Sequence, residues 1–455
     1  MEIASVSYSN VSNDSKILKP NYHLNYGKRR IENALKKEKS FTTLGDAVKD
    51  VYTGGIFKRV FVENKEFGLP YISAQHMMNS NPHEVAKTIS KKYTPRQEDM
   101  TLRANQILIS CAGTVGNVRL IGKDLDGVIG SQDIIRIISD DSKFSHGFIY
   151  AYLASPTAYN YIQSYIYGSV VPRIEPNTLS KLPVPIFHKS KQQKINNFIV
   201  EASELRVEAN MLLKKAVKSM EQKSPLIDYN QIYTSNINSR IKYNSRIEAS
   251  FNTKLIEEFY TNLESKNIPL MTISELSDSV FTPNIFKRVR TNNPDKGVPF
   301  LSGSDLLKQY PNFQNFLSRK MKNIDDYILR DGWIAIQDAG TIGYVSYITP
   351  FLDGVSATNN LVRIVPNKEK NWSYYIYCFL KTEVGQKLLK INEYGSVQKH
   401  IDNHQVSSFL IPIYQEIVEE INEKMRKSMD NLSKACFLEK EAIELIEKEI
   451  ESWQE

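Results

Sequence analysis

"VYTGGIFKRV" at positions 51–60 and "VFTPNIFKRV" at positions 280–289 share the string IFKRV, which mixes apolar and basic residues. Further pairs of similar blocks follow in the same order along the two halves of the chain. They are "GLPYISAQHM" (68–77) with "GVPFLSGSDL" (297–306), "GVIGSQDIIRII" (127–138) with "GVSATNNLVRIV" (354–365), and "YGSVVPRI" (167–174) with "YGSVQKHI" (394–401). Blocks repeated in one order indicate a tandem duplication of a unit of roughly 225 residues.

Each half has the pattern of a compact α/β (α+β) domain. Short apolar runs such as "QILIS" and "LVRIV" are rich in β-branched residues and are bounded by turn residues, which is typical of buried strands. Residues 145–166 and 371–391 combine helical spacing with many aromatic residues, and we expect helix there.

A long helix is predicted after each half, over 189–223 and over 414–453. The first carries eight Lys/Arg against four Glu, whereas residues 414–455 carry six Lys/Arg against twelve Asp/Glu. Opposite charges beside apolar seams favour pairing of the two helices as an antiparallel coiled coil. The alternative is two independent domains, each followed by a solvated helix. The predicted seam of the first helix comprises Ile195, Phe198, Ala202, Leu205, Ala209, Leu212 and Ala216.

Composition indicates a cytoplasmic protein with a polyanionic partner. No apolar run reaches the length of a transmembrane helix, the start of the chain is polar, and the three cysteines are widely spaced without a CxxC pair. The net charge is +7 and the C-terminal segment is acidic, so the basic charge falls on the rest of the chain and favours nucleic acid. Mild basicity without a specific partner is the alternative.

Comparison of the two repeats argues against a catalytic role for the strings that resemble catalytic motifs. "DAGTIG" at 338–343 has the form of a cofactor-binding glycine loop, but its duplicate "CAGTVG" at 111–116 retains only the features of a tight backbone turn. "HIDNH" spaces two histidines by four residues, yet the matching "RIEPN" offers neither, so we expect no metal. The sequence has no amino-methyltransferase tetrapeptide, no phosphate-binding GxxxxGK[ST] and no HExxH. These observations favour a protein that binds over one that catalyses.

The ordered set of "AGTxG", "YGSV" and a proline-containing strand before a long helix, all present twice, resembles the specificity (S) subunits of type I restriction-modification systems. "SRIEASFN" at 245–252 is similar to the string that often opens a unit in that family, and "RRIENALK" at 29–36 is a weaker version. The resemblance implies a first target recognition domain at 1–188, a central long helix at 189–225, a second target recognition domain at 226–412 and a C-terminal long helix at 413–455. The two domains would be separated by the two helices.

The resemblance also implies partners and cofactors. The partners are double-stranded DNA, two methyltransferase (M) subunits and, through them, restriction (R) subunits. S-adenosylmethionine would be held by the M subunits and ATP with Mg by any R subunits, leaving this chain with no cofactor of its own. Two diverged heads predict an asymmetric target made of two half-sites with a gap between them.

Residues expected to contact DNA fall into two groups. A basic pair repeated at equivalent positions suits phosphates, which are the same whatever the base sequence; a solvated strand end is the alternative. The predicted phosphate contacts are Lys58, Arg59, Lys287, Arg288 and Arg290. Base reading is expected where the copies differ within a shared scaffold, although drift after duplication would also produce such differences. The predicted base-reading residues are Gln75, His76, Gln132, Arg173, Ser304, Asp305, Asn359, Asn360, Lys399 and His400.

The function predicted from the sequence is therefore that of a non-catalytic, sequence-specific DNA-binding subunit that directs methyltransferase and restriction subunits to their target. Three alternatives stay open at this point. The chain could serve a methylation-only or type IIB-like system, it could be a self-sufficient DNA methyltransferase, or it could be a coiled-coil adaptor whose two heads bind protein.

Overall fold

The computed structural model describes Tyr8, Val11, residues 19–224 and residues 254–455, apart from 312, 340, 341, 368–370 and 396–398. "SRIEASFN" and almost all of the polar N-terminal segment lie outside the described residues. The chain divides into two units. Unit 1 comprises Met1–Val207 and Lys434–Glu455, and unit 2 comprises Glu208–Ser433.

The described part of unit 1 contains three small sheets, with strand orders β2-β8-β5-β6, β4-β3-β7 and β1-β9. Neighbouring strands are antiparallel except for β3 and β7, which run parallel. Strand β5 is buried along its whole length, which explains its apolar run at 107–109. The strands are β1 Phe41–Thr43, β2 Val48–Thr53, β3 Gly68–Ile72, β4 Lys87–Ser90, β5 Ile107–Ser110, β6 Val118–Leu120, β7 Ile129–Gly130, β8 Ile134–Ser139 and β9 Pro183–Pro185.

Unit 2 repeats this topology strand for strand, with orders β11-β17-β14-β15, β13-β12-β16 and β10-β18. The register repeats as well: Ile107 pairs with Ile137 in unit 1, and Ile334 pairs with Ile364 in unit 2. The duplication read from the sequence is thus a duplication of the fold. The strands are β10 Leu270–Thr272, β11 Ser277–Phe281, β12 Gly297–Leu301, β13 Phe316–Ser318, β14 Ile334–Gln337, β15 Val345–Tyr347, β16 Ser356–Ala357, β17 Leu361–Pro366 and β18 Leu410–Pro412.

The aromatic helical segments are each divided into two short helices. In unit 1 the division falls at Ser155–Pro156, where the Ser155 hydroxyl accepts a hydrogen bond from the backbone of the next helix and Pro156 opens it. Thr382 caps the corresponding helix of unit 2 in the same way. The helices are α1 Pro20–His23, α2 Tyr26–Lys36, α3 Leu44–Ala47, α4 Gln97–Met100, α5 His146–Ala154, α6 Pro156–Ser164, α7 Pro176–Leu179, α8 Lys189–Lys223, α9 Lys254–Ser265, α10 Ser373–Lys381, α11 Glu383–Ile391, α12 Asn403–Ser407 and α13 Gln415–Ser452.

The two long helices α8 and α13 pair in antiparallel fashion, as predicted. Within unit 1 the first part of α8 lies along the last part of α13, joined by Lys191–Glu449, Glu201–Lys434 and Arg206–Glu439 ion pairs. Within unit 2 the last part of α8 lies along the first part of α13, joined by Lys223–Glu416 and Glu208–Lys427. The alternative of two solvated linker helices is therefore wrong. No helix among the described residues is long and apolar enough to cross a membrane.

The buried seam of α8 differs from the predicted one. Ile195, Ala202, Ala209 and Ala216 are buried as expected, but Phe198, Leu205 and Leu212 are only partly buried. The buried positions between them are Ile199, Arg206 and Leu213. Only the alternate positions shift, each by one residue, so the buried positions still follow one another in steps of four and three. Because α8 packs against the core of each unit as well as against α13, residues beside this seam are partly buried too. Arg206 enters the seam because Glu439, which is also buried, pairs with it.

Candidate nucleic-acid interface

In unit 1 three loops meet where β3, β5 and β7 end. The Ser131 backbone N–H donates to the Ile72 carbonyl at 2.9 Å, which joins the loop after β7 to the end of β3. The Cys111 N–H donates to the Asp133 carbonyl at 3.1 Å, which joins the loop after β5 to the loop after β7. The predicted base-reading residues Gln75, His76 and Gln132 all lie in the loops that follow β3 and β7.

A fourth segment, the hairpin 167–173, closes on the loop after β5. Tyr167 and Arg173 exchange backbone hydrogen bonds of 3.0 and 2.9 Å, and the Gly113 N–H donates to the Pro172 carbonyl at 3.0 Å. Arg173 is exposed at the end of this hairpin. The fold thus brings Arg173 to the loop that also contacts Asp133, although the two are far apart in the sequence.

Unit 2 reproduces the arrangement with different side chains. The Thr358 N–H donates to the Leu301 carbonyl at 3.1 Å, and Tyr394 and His400 exchange backbone hydrogen bonds of 2.9 Å each. The Asp338 N–H approaches the Asn360 carbonyl at 3.4 Å, matching the contact of Cys111 with Asp133. The scaffold is shared, whereas the side chains that it presents are not.

A buried arginine holds the loop after β7 in place in unit 1. Arg136, on β8, is fully buried and is surrounded by backbone oxygens. Burial lowers the pKa of its guanidinium. A buried guanidinium needs hydrogen-bond acceptors, and Nη1 and Nη2 of Arg136 have them, whereas its Nε has no partner in the described part of the chain. Its acceptors are the carbonyls of Met100 (3.2 Å), Gly130 (2.9 Å), Ser131 (3.4 Å) and Ile134 (3.0 Å).

Arg363, on β17, plays the same part in unit 2. It is fully buried, and burial lowers its pKa to about 10, so it stays protonated at neutral pH. Neither arginine is among the residues predicted from the sequence. The signal that could have found them is a charged residue in the middle of an apolar strand, present in both "DIIRII" and "LVRIV". The acceptors of Arg363 are the carbonyls of Tyr327 (3.5 Å), Ala357 (3.4 Å), Thr358 (3.3 Å) and Leu361 (3.4 Å).

The repeated basic string lies beside the same loops. In unit 1 Lys58 and Arg59 are exposed, and the Arg59 guanidinium donates to the Tyr71 hydroxyl at 3.3 Å. This hydrogen bond is the main cause of a raised Arg59 pKa, and Asp133 contributes less. The positive charge of Arg59 is therefore held close to the loop that carries Gln132.

In unit 2 Arg288, which corresponds to Arg59, lies beside the loop after β16, the counterpart of the loop after β7. Lys287 and Arg288 are exposed, and the Arg288 guanidinium carbon lies 5.2 Å from the centre of the Phe300 ring. Its Nη2 is 3.5 Å from the Thr358 hydroxyl, next to Asn359. Phe300 stands where unit 1 has Tyr71, so an aromatic residue contacts the arginine in both units, through its hydroxyl in unit 1 and through its ring in unit 2. Arg290 is exposed further along, 3.5 Å from the Asn315 side chain.

Some predicted base-reading side chains are exposed, whereas others already have partners. Ser304 and Lys399 are exposed, as is Gln75, while His76 is half-buried with a pKa lowered by burial and by Lys87. Burial of the Asp305 carboxylate works against ionisation. Its hydrogen bonds from Lys308 (2.6 Å) and the Ser302 N–H (2.9 Å) outweigh this and lower its pKa.

The amides after β7 and β16 are also near the surface. Gln132 is half-buried and its Oε1 has no hydrogen-bond partner in the described part of the chain. The Asn359 amide donates to the Asn360 side-chain oxygen at 2.8 Å, which orients both amides. Asn360 is exposed and Asn359 half-buried. Amides of this type can form paired hydrogen bonds with adenine.

The glycine-rich loops are backbone turns. Gly113 and Gly116 have φ of +74° and +96°, and Gly343, which matches Gly116, has +92°. The Gly113 N–H, which would face a phosphate in a cofactor loop, instead donates to the Pro172 carbonyl. Burial raises the pKa of the Cys111 thiol to about 12, so it is not a ready nucleophile. Residues 340 and 341 lie outside the described residues.

The two histidines of "HIDNH" do not share a helix face. His400 pairs with Tyr394 through the backbone, and α12, which carries His404, begins only at Asn403. Among the described residues no group of three His, Cys, Asp or Glu side chains is placed to hold a metal ion. The functional groups that these loops expose are mainly cations and side-chain amides.

Fold and site together define a duplicated α/β recognition protein, with two copies of one loop scaffold and a pair of long helices. The chain belongs to the type I restriction modification DNA specificity domain family, whose model matches residues 36–215 and 266–448. The resemblance seen in the sequence is confirmed, and each match covers one copy of the repeat. No curated protein matches the chain.

Several solved structures are similar to the chain. The S subunit of the type I restriction-modification system of M. genitalium is 15% identical, with 91% of this chain and 92% of that chain covered and a TM-score of 0.33. The HsdS subunit of Thermoanaerobacter tengcongensis is 13% identical, with coverages of 90% and 95% and a TM-score of 0.29. A chain from a structure of complex assembly and conformational transition of the type I R-M system is 12% identical, with coverages of 91% and 96% and a TM-score of 0.29.

Proposed function

We propose that this chain is the non-catalytic recognition subunit of a type I restriction-modification complex and that it reads an asymmetric, gapped DNA sequence. Unit 1 reads one half-site through the loops after β3 and β7 and through the hairpin that ends at Arg173. Unit 2 reads the other half-site through the loops after β12 and β16 and through His400. Phosphates are held by the exposed cations Lys58, Arg59, Lys287, Arg288 and Arg290.

The observation that carries this proposal is the contrast between scaffold and side chains. Backbone contacts repeat between the units, and so does the basic pair, which suits a ligand backbone that is the same in both half-sites. The side chains on the repeated loops differ in type: Arg173 corresponds to His400, and His76 to Asp305. Two such heads would distinguish two different base sequences.

Membership of the family also supports the proposal that the chain acts together with partner subunits. Two methyltransferase subunits would associate with the chain and carry S-adenosylmethionine, and restriction subunits, where the system has them, would carry ATP and Mg. The chain then supplies sequence recognition and binds no cofactor itself. A methylation-only system would use the chain in the same way.

The test is a gel-shift titration of the full-length chain with duplex DNA at two salt concentrations. We expect binding that weakens steeply with salt, because phosphate contacts release counterions. Salt-independent binding, or no binding, would leave the protein-adaptor alternative. A methyl-transfer assay with the chain alone and with its methyltransferase subunit added should give activity only in the second case. Activity of the chain alone would contradict the proposal.

A further inference from the structure

Each unit exposes one isoleucine within its basic string. Ile56 is 88% exposed and Ile285 is 90% exposed. Both open the string IFKRV, three residues before the arginine that contacts Tyr71 or Phe300. A single exposed apolar residue is common on protein surfaces, but the same residue exposed to this extent in both copies requires an explanation.

The neighbours of Ile285 are anchored, so its exposure is built into the loop. Phe286 packs on Tyr327 with ring centres 3.6 Å apart. The Tyr327 hydroxyl donates to the Asn284 carbonyl at 3.0 Å. One tyrosine therefore holds the residues on both sides of Ile285, while the isoleucine side chain stays in solvent.

Unit 1 achieves the same result with other residues. Phe57 packs against a cluster that includes Tyr71 and Met100. A Cβ on Gly54 would lie 1.9 Å from the Met100 sulfur, so the chain approaches the core closely just before Ile56. Two different sets of anchors thus present an outward isoleucine, which favours a role for the isoleucine itself.

The surroundings indicate a polyanion as the partner. Residues 55–96 carry seven Lys/Arg against three Glu, and residues 284–322 carry eight Lys/Arg against two Asp. Lys58 and Lys287 follow the isoleucines by two residues and are themselves exposed. An apolar side chain framed by cations fits nucleic acid, where cations hold the phosphates while apolar residues enter between base steps.

We propose, on the basis of the proposed DNA binding, that Ile56 and Ile285 insert as apolar wedges at a base step in their respective half-sites. Insertion removes apolar surface from water and locally unstacks the bases, and the anchored loop limits the conformational entropy that binding costs. Both side chains are almost fully exposed, so truncation should leave the fold intact.

The experiment uses the full-length chain and a duplex that carries the target found by long-read methylation sequencing, with 2-aminopurine placed at successive positions. Wild-type protein should raise the fluorescence at one step in each half-site. Ile56→Ala should abolish the signal in one half-site only, weaken binding roughly tenfold and leave the salt slope unchanged. Ile285→Ala should do the same in the other half-site. Ile186→Ala, a partly exposed isoleucine of unit 1 outside the basic segment, is the matched control and should behave as wild type.

The outcomes separate this inference from the proposed function. If the alanine variants bind DNA as tightly as wild type and give both fluorescence signals, the insertion of the isoleucines is wrong and the proposed DNA recognition is unaffected. Weaker binding without a fluorescence change would likewise overturn insertion. Impaired methyltransferase association, with DNA binding intact, would assign the isoleucines to a protein interface instead. Failure of the wild-type chain to bind DNA would overturn both.

Discussion

Arg136 and Arg363 occupy the same position in the two copies of the domain and donate to backbone carbonyls at corresponding positions. Met100 corresponds to Tyr327, Gly130 to Ala357, Ser131 to Thr358 and Ile134 to Leu361. Each of these acceptors is a backbone carbonyl, so the side chains of the same residues were free to diverge. Each arginine thereby fixes the start of a loop whose following residues differ between the units.

Arg136→Met should destabilise unit 1 by about 3 kcal/mol, because it leaves buried carbonyls without donors. The measurement is the urea midpoint, and Arg363→Met provides an independent repeat in unit 2. Arg103→Met, at an exposed position of unit 1, is the control and should stay within about 0.5 kcal/mol of wild type. An Arg136→Met midpoint equal to that of the control would mean that the carbonyls find other donors.

Lys58→Ala/Arg59→Ala should weaken binding by a similar factor on target and random-sequence duplexes. The salt slope should fall by about one for each phosphate that no longer has a cation beside it. The same is expected for Lys287→Ala/Arg288→Ala, and the measurement is affinity against salt concentration. Tyr71→Phe removes the hydrogen bond to Arg59 but no charge, and should leave the slope unchanged. Weaker affinity on the target alone would mean that these residues read bases.

Arg173→Ala should relax discrimination in one half-site by about 1–3 kcal/mol and leave the other unaffected. His400→Ala should affect the other half-site only. Competition binding against duplexes with single base-pair changes measures both effects. Lys181→Ala, an exposed cation of unit 1 away from the hairpin 167–173, is a suitable control. Equal effects in both half-sites would argue against independent recognition by the two units.

Arg206→Ala should destabilise the chain by about 3–5 kcal/mol, since it leaves the buried Glu439 carboxylate without its partner at 2.5 Å. Replacing both residues by leucine should restore part of that stability, because no unpaired charge remains, although the buried Tyr150 hydroxyl loses its acceptor Glu439. Lys434→Ala breaks an exposed pair with Glu201 and should cost at most about 1 kcal/mol. Thermal unfolding measures all three, and equal destabilisation by the buried and the exposed substitution would contradict this expectation.

The sequence correctly predicts the duplication, the strand-rich α/β halves and the paired long helices. These features follow from local patterns: repeated strings, β-branched runs and helical periodicity with opposite charge. Lys58, Arg59 and Arg173, which the sequence predicts to contact DNA, are exposed. The DNA contacts of these residues stay a prediction.

Other features depend on contacts between residues far apart in the chain. The shift of the α8 seam onto Ile199 and Leu213 is one of them, because it is set by how α8 packs against the two cores. The division of the aromatic helices at Ser155 and the hydrogen bonds of Asp305 with Lys308 and Ser302 are local by contrast, since each joins residues three positions apart. The burial of Arg136 and Arg363 is decided in the same way as the α8 seam. A charged side chain inside a strand is tolerated only where the folded backbone turns enough carbonyls toward it, and that arrangement exists only once β7, β8 and α4 have come together.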